Sequence, residues 1–205
     1  MAAPRTLLLL TAALAAGCAA APPRPAAPPA PAGARTAVEP AAPARPAHPA
    51  AARRAVETAR SLAGRKEIVV GGVSYGDGCA ALVRAAYHQA GLRLPPGATD
   101  VKSLHALARS EGSLRRSRPV PGDLVFLSDT PGGRAEHVGL VERVGSGGTV
   151  TVLHRTGRGV ARLRVNAGQP WKARGDDGQI LNDVLVVGGG RVPAGRLLVA
   201  YATLL

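Results

Sequence analysis

The sequence of 205 residues is poor in aromatic residues and in cysteine: it holds one Trp, one Phe, three Tyr and two Cys. With no Cys-x-x-Cys and no His-x-x-x-His pair, it lacks the usual spacing of zinc ligands, so we expect neither a metal nor any other cofactor. The formal net charge is +13, but no aromatic residues interleave the basic run at Arg115, Arg116 and Arg118. A nucleic-acid partner is therefore not expected, and a solvated basic surface that attracts anionic polymers explains the charge better.

The apolar run near the N terminus, Thr6–Ala16, is too short to span a bilayer. With Arg5 in front of it, the run is typical of a targeting segment. Ala15-Ala16-Gly17-Cys18 then resembles a bacterial lipobox, whose cysteine is lipidated and becomes the mature N terminus. We predict a lipoprotein-type signal over residues 1–18 with Cys18 as the lipidation site. An ordinary secretory signal that is cleaved in the alanine-rich stretch is the alternative.

Residues 19–50 consist almost entirely of Ala and Pro with occasional Arg, have no apolar period and are predicted to be a disordered linker. Residues 51–205 are enough for one domain with a core. The expected location is the bacterial cell envelope, anchored in the outer membrane and facing the periplasm, or outside the cell if Cys18 is not lipidated. The lipid would be the only contact with the membrane, and we expect a monomer.

Helical and extended patterns separate along residues 51–205. Periodic apolar residues predict helices first, and short β-branched segments predict strands after Gly122. This order predicts an α+β domain with N-terminal helices packed on a C-terminal antiparallel sheet of about five to six strands. The predicted helices are Arg53–Ala63, a helix that Cys79 opens and Gly91 ends, and one capped by Thr99 or Asp100 that runs to Ser110; the predicted strands are Leu124–Leu127, Ala135–Val141, Thr149–His154, Val160–Val165, Asp183–Val187 and Arg196–Ala202.

Cys79 is the one cysteine of the predicted domain, and it follows the turn Gly76-Asp77-Gly78. A helix start offers unpaired backbone N–H groups and the positive end of the helix dipole, both of which favour a thiolate. His137 and His154 lie on two successive predicted strands downstream. A cysteine at a helix start and two histidines on strands suit a nucleophile, a base and a group that orients the base. The alternative is that both histidines are ordinary polar residues at strand ends.

Three segments resemble the NlpC-type cell-wall peptidases, which are papain-like cysteine enzymes with a Cys-His-His triad. The segments are Cys79-Ala80-Ala81-Leu82-Val83, Pro121-Gly122-Asp123-Leu124-Val125-Phe126-Leu127 and His137-Val138-Gly139-Leu140-Val141. The neighbouring CHAP amidase/peptidase group shares this order of segments. The resemblance extends over residues 51–205 and implies a papain-like fold with Cys79, His137 and His154 as the catalytic residues.

The sequence departs from the family pattern around the cysteine. The family usually has Asp directly before it and Ser-Gly after it, whereas this chain has Gly78, Ala80 and Ala81. A family tyrosine that helps to hold the oxyanion aligns with Ile68, and Tyr75 is the nearby substitute. Tyr75 is therefore the candidate oxyanion residue.

The resemblance implies a cysteine peptidase that hydrolyses an amide bond of peptidoglycan, in the stem peptide or the cross-link. The partners would be peptidoglycan peptides. Two alternatives remain open at this stage: an N-acetylmuramoyl-L-alanine amidase, and a non-catalytic envelope lipoprotein that binds the cell wall on the same fold.

Overall fold

The computed structural model describes residues 48–204. The predicted targeting segment, the lipidation site Cys18 and the linker as far as residue 47 lie outside this range. Within it, no helix is long and apolar enough to cross a membrane.

Three α-helices, ten β-strands and one short 3-10 helix make up this part of the chain. The helices come first, as the periodicity predicts. Their bounds are α1 Pro49–Ser61, α2 Ala81–Gln89 and α3 Val101–Ser110. The strands are β1 Val69–Val70, β2 Val73–Ser74, β3 Leu114–Arg115, β4 Leu124–Leu127, β5 His137–Val144, β6 Val150–Thr156, β7 Gly159–Val165, β8 Val184–Val187, β9 Gly190–Pro193 and β10 Leu198–Ala202, with the 3-10 helix at Ala194–Leu197.

Six strands form one antiparallel sheet in the order β3-β10-β4-β5-β6-β7. Strand β10 therefore lies between β3 and β4, both of which come much earlier in the sequence. The strands β1 and β2 pair only with each other, and so do β8 and β9. The predicted α+β class and the predicted number of strands are confirmed.

The sheet separates two apolar clusters, and successive residues of a strand belong to opposite ones. Leu124 and Phe126 of β4 join the helices in the larger cluster, whereas Val125 and Leu127 belong to the smaller one. The inward face of α2 is almost fully buried, with Leu82 and other residues at or below 2% exposure. The helix that follows Cys79 is thus fixed against the sheet by packing.

A buried carboxylate ties the first helix to the sheet. Glu142 of β5 is 5% exposed and accepts hydrogen bonds from Arg60 of α1 at 2.8 Å and from Arg162 of β7 at 2.8 and 2.9 Å. These bonds satisfy the carboxylate, whose pKa they hold below its usual value, the Arg162 bonds most strongly. The ion cluster fixes α1 across two strands.

Several predicted boundaries need correction. Helix α1 begins at Pro49, before the predicted Arg53, because proline suits the first turn of a helix. Asp183–Val187 is not a closing strand of the main sheet, since β8 instead forms a hairpin with β9 through Gly188 and Gly189, both at positive φ. The predicted strand Arg196–Ala202 starts only at Leu198, after the 3-10 turn. Helix α3 agrees with its prediction, and Asp100 caps it in a capping box with Ser103.

Candidate active site

Cys79 lies between a glycine turn and helix α2. Gly76 has a φ of 77°, which turns the chain, and Ala80 is the N-cap of α2. The cysteine thus stands just ahead of the helix, whereas the sequence predicts that it opens the helix. Ala80 provides no side-chain cap, so the first backbone N–H groups of α2 lack that partner. The partly exposed thiol sits at the positive end of the helix dipole.

His137 is the first residue of β5, and its imidazole contacts the thiol. Nδ1 lies 3.3 Å from Sγ of Cys79. The hydrogen bond from His137 is the main reason that the pKa of the Cys79 thiol is lowered, in opposition to burial, which raises it. The same bond raises the pKa of His137 from 6.5 to about 9. The contact thus favours transfer of the thiol proton to the imidazole, which is the direction of a thiolate–imidazolium pair.

Asp129 contacts the other nitrogen of the imidazole. Its Oδ1 lies 2.7 Å from Nε2 of His137, and this carboxylate adds to the rise in the histidine pKa. The sequence patterns give Asp129 no role. Its position two residues after the end of strand β4 points to His137 only once the pairing of β4 with β5 is known.

His154 lies on β6 opposite Gly139, which is two residues along β5 from His137. Burial, followed by the positive charge of His137, lowers the pKa of His154 to about 4, so its ring is neutral near pH 7. Within residues 48–204, no hydrogen bond joins His154 to His137. The two histidines lie close enough for the charge of His137 to affect the pKa of His154. The orienting role of His154 stays a prediction.

Tyr75 is directed away from the start of α2. Its hydroxyl is hydrogen-bonded to Nδ1 of His88, in the last turn of that helix, and Arg84 lies 5.9 Å from its ring centroid. Ile68, which takes the place of the family tyrosine, is 1% exposed and belongs to the core. The oxyanion role of Tyr75 stays a prediction, and none of these contacts supports it.

Arg155 connects the strand of His154 to the loop in front of Cys79. Its Nη2 donates to the carbonyl of Lys66 at 3.0 Å and to Asp77 at 3.2 Å, and its side chain is only 13% exposed. The positive charge contributes to the lowered pKa of the Cys79 thiol. In the sequence, the one hint of this role is that Arg155 directly follows a candidate catalytic histidine. The sequence patterns did not single it out.

The residues that depart from the family pattern leave the cysteine–histidine contact intact. A Cβ added at Gly78 would meet no atom within 4 Å, so this position is open. Ala80 and Ala81 are 1% and 2% exposed and pack as small core residues behind the thiol. Space therefore does not exclude the family's usual Asp at position 78, whereas Ala80 and Ala81 lie where only small side chains are packed.

Residues 69–156 match the family model of the CHAP domain. This segment is therefore similar to a CHAP domain, one of the two neighbouring groups that the sequence motifs resemble. Cys79, His137 and His154 all lie inside the matched segment. Helix α1 and strands β7–β10 lie outside it.

Two solved structures resemble the chain, namely Ly7917 and Ly7917 with the hydrolyzing product of MDP. Each is 20% identical and covers 74% of this chain, with TM-scores of 0.43 and 0.40. The match spans 62% of the length of those proteins. Comparison with curated protein sequences finds no match.

Among residues 48–204, no group of three or more His, Cys, Asp or Glu side chains is arranged to hold a metal ion.

Proposed function

We propose that the protein is a peptidoglycan hydrolase that cleaves an amide bond with Cys79 as nucleophile and His137 as acid and base. The observation that carries the proposal is the 3.3 Å contact between Sγ and Nδ1, at a helix start and within the segment that is similar to a CHAP domain. An ordinary structural cysteine is buried among apolar side chains and has a raised pKa, whereas the pKa of this thiol is lowered. That difference favours an enzyme over a wall-binding protein on the same fold.

The reaction is acyl transfer in two steps. The Cys79 thiolate attacks the amide carbonyl carbon, and Nδ1–H of His137 protonates the departing amine as the C–N bond breaks. This step leaves a thioester on Cys79 and a neutral imidazole. The imidazole then takes a proton from water, the hydroxide attacks the thioester carbon, and the carboxylic acid product leaves as the thiolate forms again.

Charge on the carbonyl oxygen needs donors that are in place before the reaction. The backbone N–H of Cys79 is the first candidate, since it lies at the reacting sulfur and needs no side chain. Its own hydrogen bond to the thiol also contributes to the lowered pKa of the thiol. When sulfur attacks the carbonyl, this donor is already positioned beside the developing oxyanion.

We propose peptidoglycan as the substrate because the CHAP match and the Pro-Gly-Asp-Leu-Val-Phe and His-Val-Gly motifs both point to cell-wall enzymes. The excess of positive charge favours approach to anionic wall polymers. We further propose that lipidated Cys18 anchors the domain in the bacterial envelope, on the basis of the lipobox-like Ala-Ala-Gly-Cys and the Ala/Pro linker behind it. Within the wall, the expected target is a bond of the stem peptide or cross-link.

The test is digestion of purified peptidoglycan and isolated muropeptides by the full chain, with products identified by mass. The wild type and Cys18→Ala should release the same products, whereas Cys79→Ala should release none. Cys18→Ala is the matched control because it removes the other cysteine. Fragments cut within the peptide indicate an endopeptidase, and an intact stem peptide freed from muramic acid indicates the amidase. Binding without any product from the wild type would contradict the proposal and favour the wall-binding alternative.

A further inference from the structure

The imidazole of His137 is held at both nitrogens. Nδ1 faces the Cys79 sulfur, and Nε2 lies 2.7 Å from Oδ1 of Asp129. A base in this kind of site needs a third group that fixes its ring orientation and stabilises its protonated form. Within residues 48–204, Asp129 is the residue that bonds to Nε2.

The register of the sheet brings this carboxylate to the imidazole. Leu127, the last residue of β4, pairs directly with His137, so their side chains lie on the same face. Asp129 comes two residues later, in the bend that follows β4. Strand pairing thus brings the start of the β4–β5 loop next to His137, and the 2.7 Å contact shows that the Asp129 carboxylate reaches the imidazole.

The loop that carries Asp129 is fixed from both sides. The buried Ser128 donates its hydroxyl to the carbonyls of Thr130 at 2.6 Å and Leu197 at 3.1 Å, and its backbone N–H bonds to Leu197 at 2.8 Å. Gly133 donates its N–H to Thr130 at 2.9 Å, and a Cβ at Gly133 would lie 2.7 Å from the Thr130 hydroxyl. The carboxylate is thus presented by an ordered turn although it is itself solvent-exposed.

We infer that Asp129 is the residue that positions His137, in the role that the family resemblance assigns to His154. The inference rests on the proposed function and names a further member of its catalytic site. Asp129 is hydrogen-bonded to Nε2 and carries a charge opposite to that of the imidazolium. His154 makes no such bond, and burial together with the His137 charge keeps its ring neutral.

Loss of the carboxylate lowers the pKa of His137, because the negative charge next to the ring stabilises its protonated form. The imidazolium then gives up its proton at lower pH, so the alkaline limb of the activity profile moves to lower pH. His154 contributes no negative charge and should not move that limb in the same direction. Three charged or titratable groups face His137 from other elements: Cys79 ahead of α2, Asp129 in the β4–β5 loop and His154 on β6. Glu136, which directly precedes His137 in the chain, is paired with Arg134.

The experiment compares Asp129→Ala, Asp129→Asn and His154→Gln with the wild type and with Asp176→Asn. Asp176 is 95% exposed and paired with Lys172, so it is the matched control for the loss of a surface aspartate. Turnover of muropeptides is measured against pH, and the His137 ring proton is titrated by NMR in the same proteins. The NMR titration does not depend on any substrate.

Asp129→Ala should lose about 10–100-fold in turnover with little change in KM, the usual range for a group that orients a catalytic residue. Asp129→Asn can still accept the Nε2–H bond, so it should recover much of the turnover, as in papain-like sites with asparagine. Both variants should lower the His137 pKa, whereas His154→Gln and Asp176→Asn should not. Normal turnover and an unchanged titration in Asp129→Ala, with turnover lost in His154→Gln, would overturn the inference. A lowered His137 pKa in a protein whose wild type digests no peptidoglycan would uphold the contact and contradict the proposed function alone.

Discussion

Gly139 of β5 faces His154 of β6, and the lack of a side chain there lets the two strands lie close together. Replacement of Gly139 by alanine should therefore lower both the stability and the catalytic rate. A Cβ at this position would lie 2.6 Å from Cγ1 of Val152, 2.8 Å from the carbonyl oxygen of Leu153 and 3.1 Å from Cβ of His154. The Leu153 carbonyl belongs to the backbone of β6, so the clash is relieved only if β5 and β6 move apart. Overpacking of this kind costs about 1–3 kcal/mol in the free energy of unfolding.

For a domain of this size, 1 kcal/mol corresponds to about 2–4 °C, so the melting temperature of Gly139→Ala should fall by about 2–12 °C. His137 is two residues away on the same strand, and a displacement of about 1 Å at the reacting atoms costs about 100-fold in rate. Thermal unfolding and the rate of Cys79 alkylation are measured on the same preparation. The control is Gly157→Ala in the β6–β7 turn, where a Cβ would meet no atom within 4 Å. Equal melting temperatures and alkylation rates for Gly139→Ala and wild type would refute the reasoning.

Further predictions concern the ion pair, its neighbours and the anchor. Activity should rise as pH passes the lowered pKa of the Cys79 thiol and fall as pH passes about 9, where His137 loses its proton. His137→Ala should slow alkylation of Cys79 by iodoacetamide near pH 7. Superimposable curves of alkylation rate against pH for wild type and His137→Ala would contradict the ion pair. Arg155→Gln should raise the thiol pKa, seen as a shift of the alkylation profile to higher pH, because a neighbouring positive charge is lost. If Tyr75 holds the oxyanion, Tyr75→Phe should lose about 10²–10³-fold in turnover, and normal turnover would contradict that role. Cys18→Ala should move the protein from the detergent phase to the aqueous phase of a membrane extract, and equal partitioning would argue against lipidation.

The sequence predicts the α+β class and the places of Cys79 and His137 because local patterns determine both. Helical period, a glycine turn and a short β-branched strand are each visible within about ten residues. Helix α3 could be delimited in the same way, because its cap Asp100 and its inward residues Leu104 and Ala108 follow the ordinary rules.

Asp129 could not be predicted, because its role depends on strand register. Only the pairing of Leu127 with His137 shows that a side chain two residues further on meets the imidazole. The β8–β9 hairpin was missed for a different reason. Gly188 and Gly189 are a turn signal, but the apolar Val184–Val187 also suits a strand of the main sheet. The contacts of Arg155 with Lys66 and Asp77 likewise join segments that lie far apart in the sequence.

The position of β10 between β3 and β4 affects the order in which the fold can form during synthesis. Leu198–Ala202 fills the gap between β3 and β4, so β4 keeps an open edge until these late residues have left the ribosome. Contacts between such distant segments form slowly, since a long loop must close before any pairing is gained. The loop with Asp129 is held by Leu197, which directly precedes this strand. A nascent chain should therefore remain without a finished active site until Leu198–Ala202 has been synthesised, and a chain that ends before residue 198 should fail to fold.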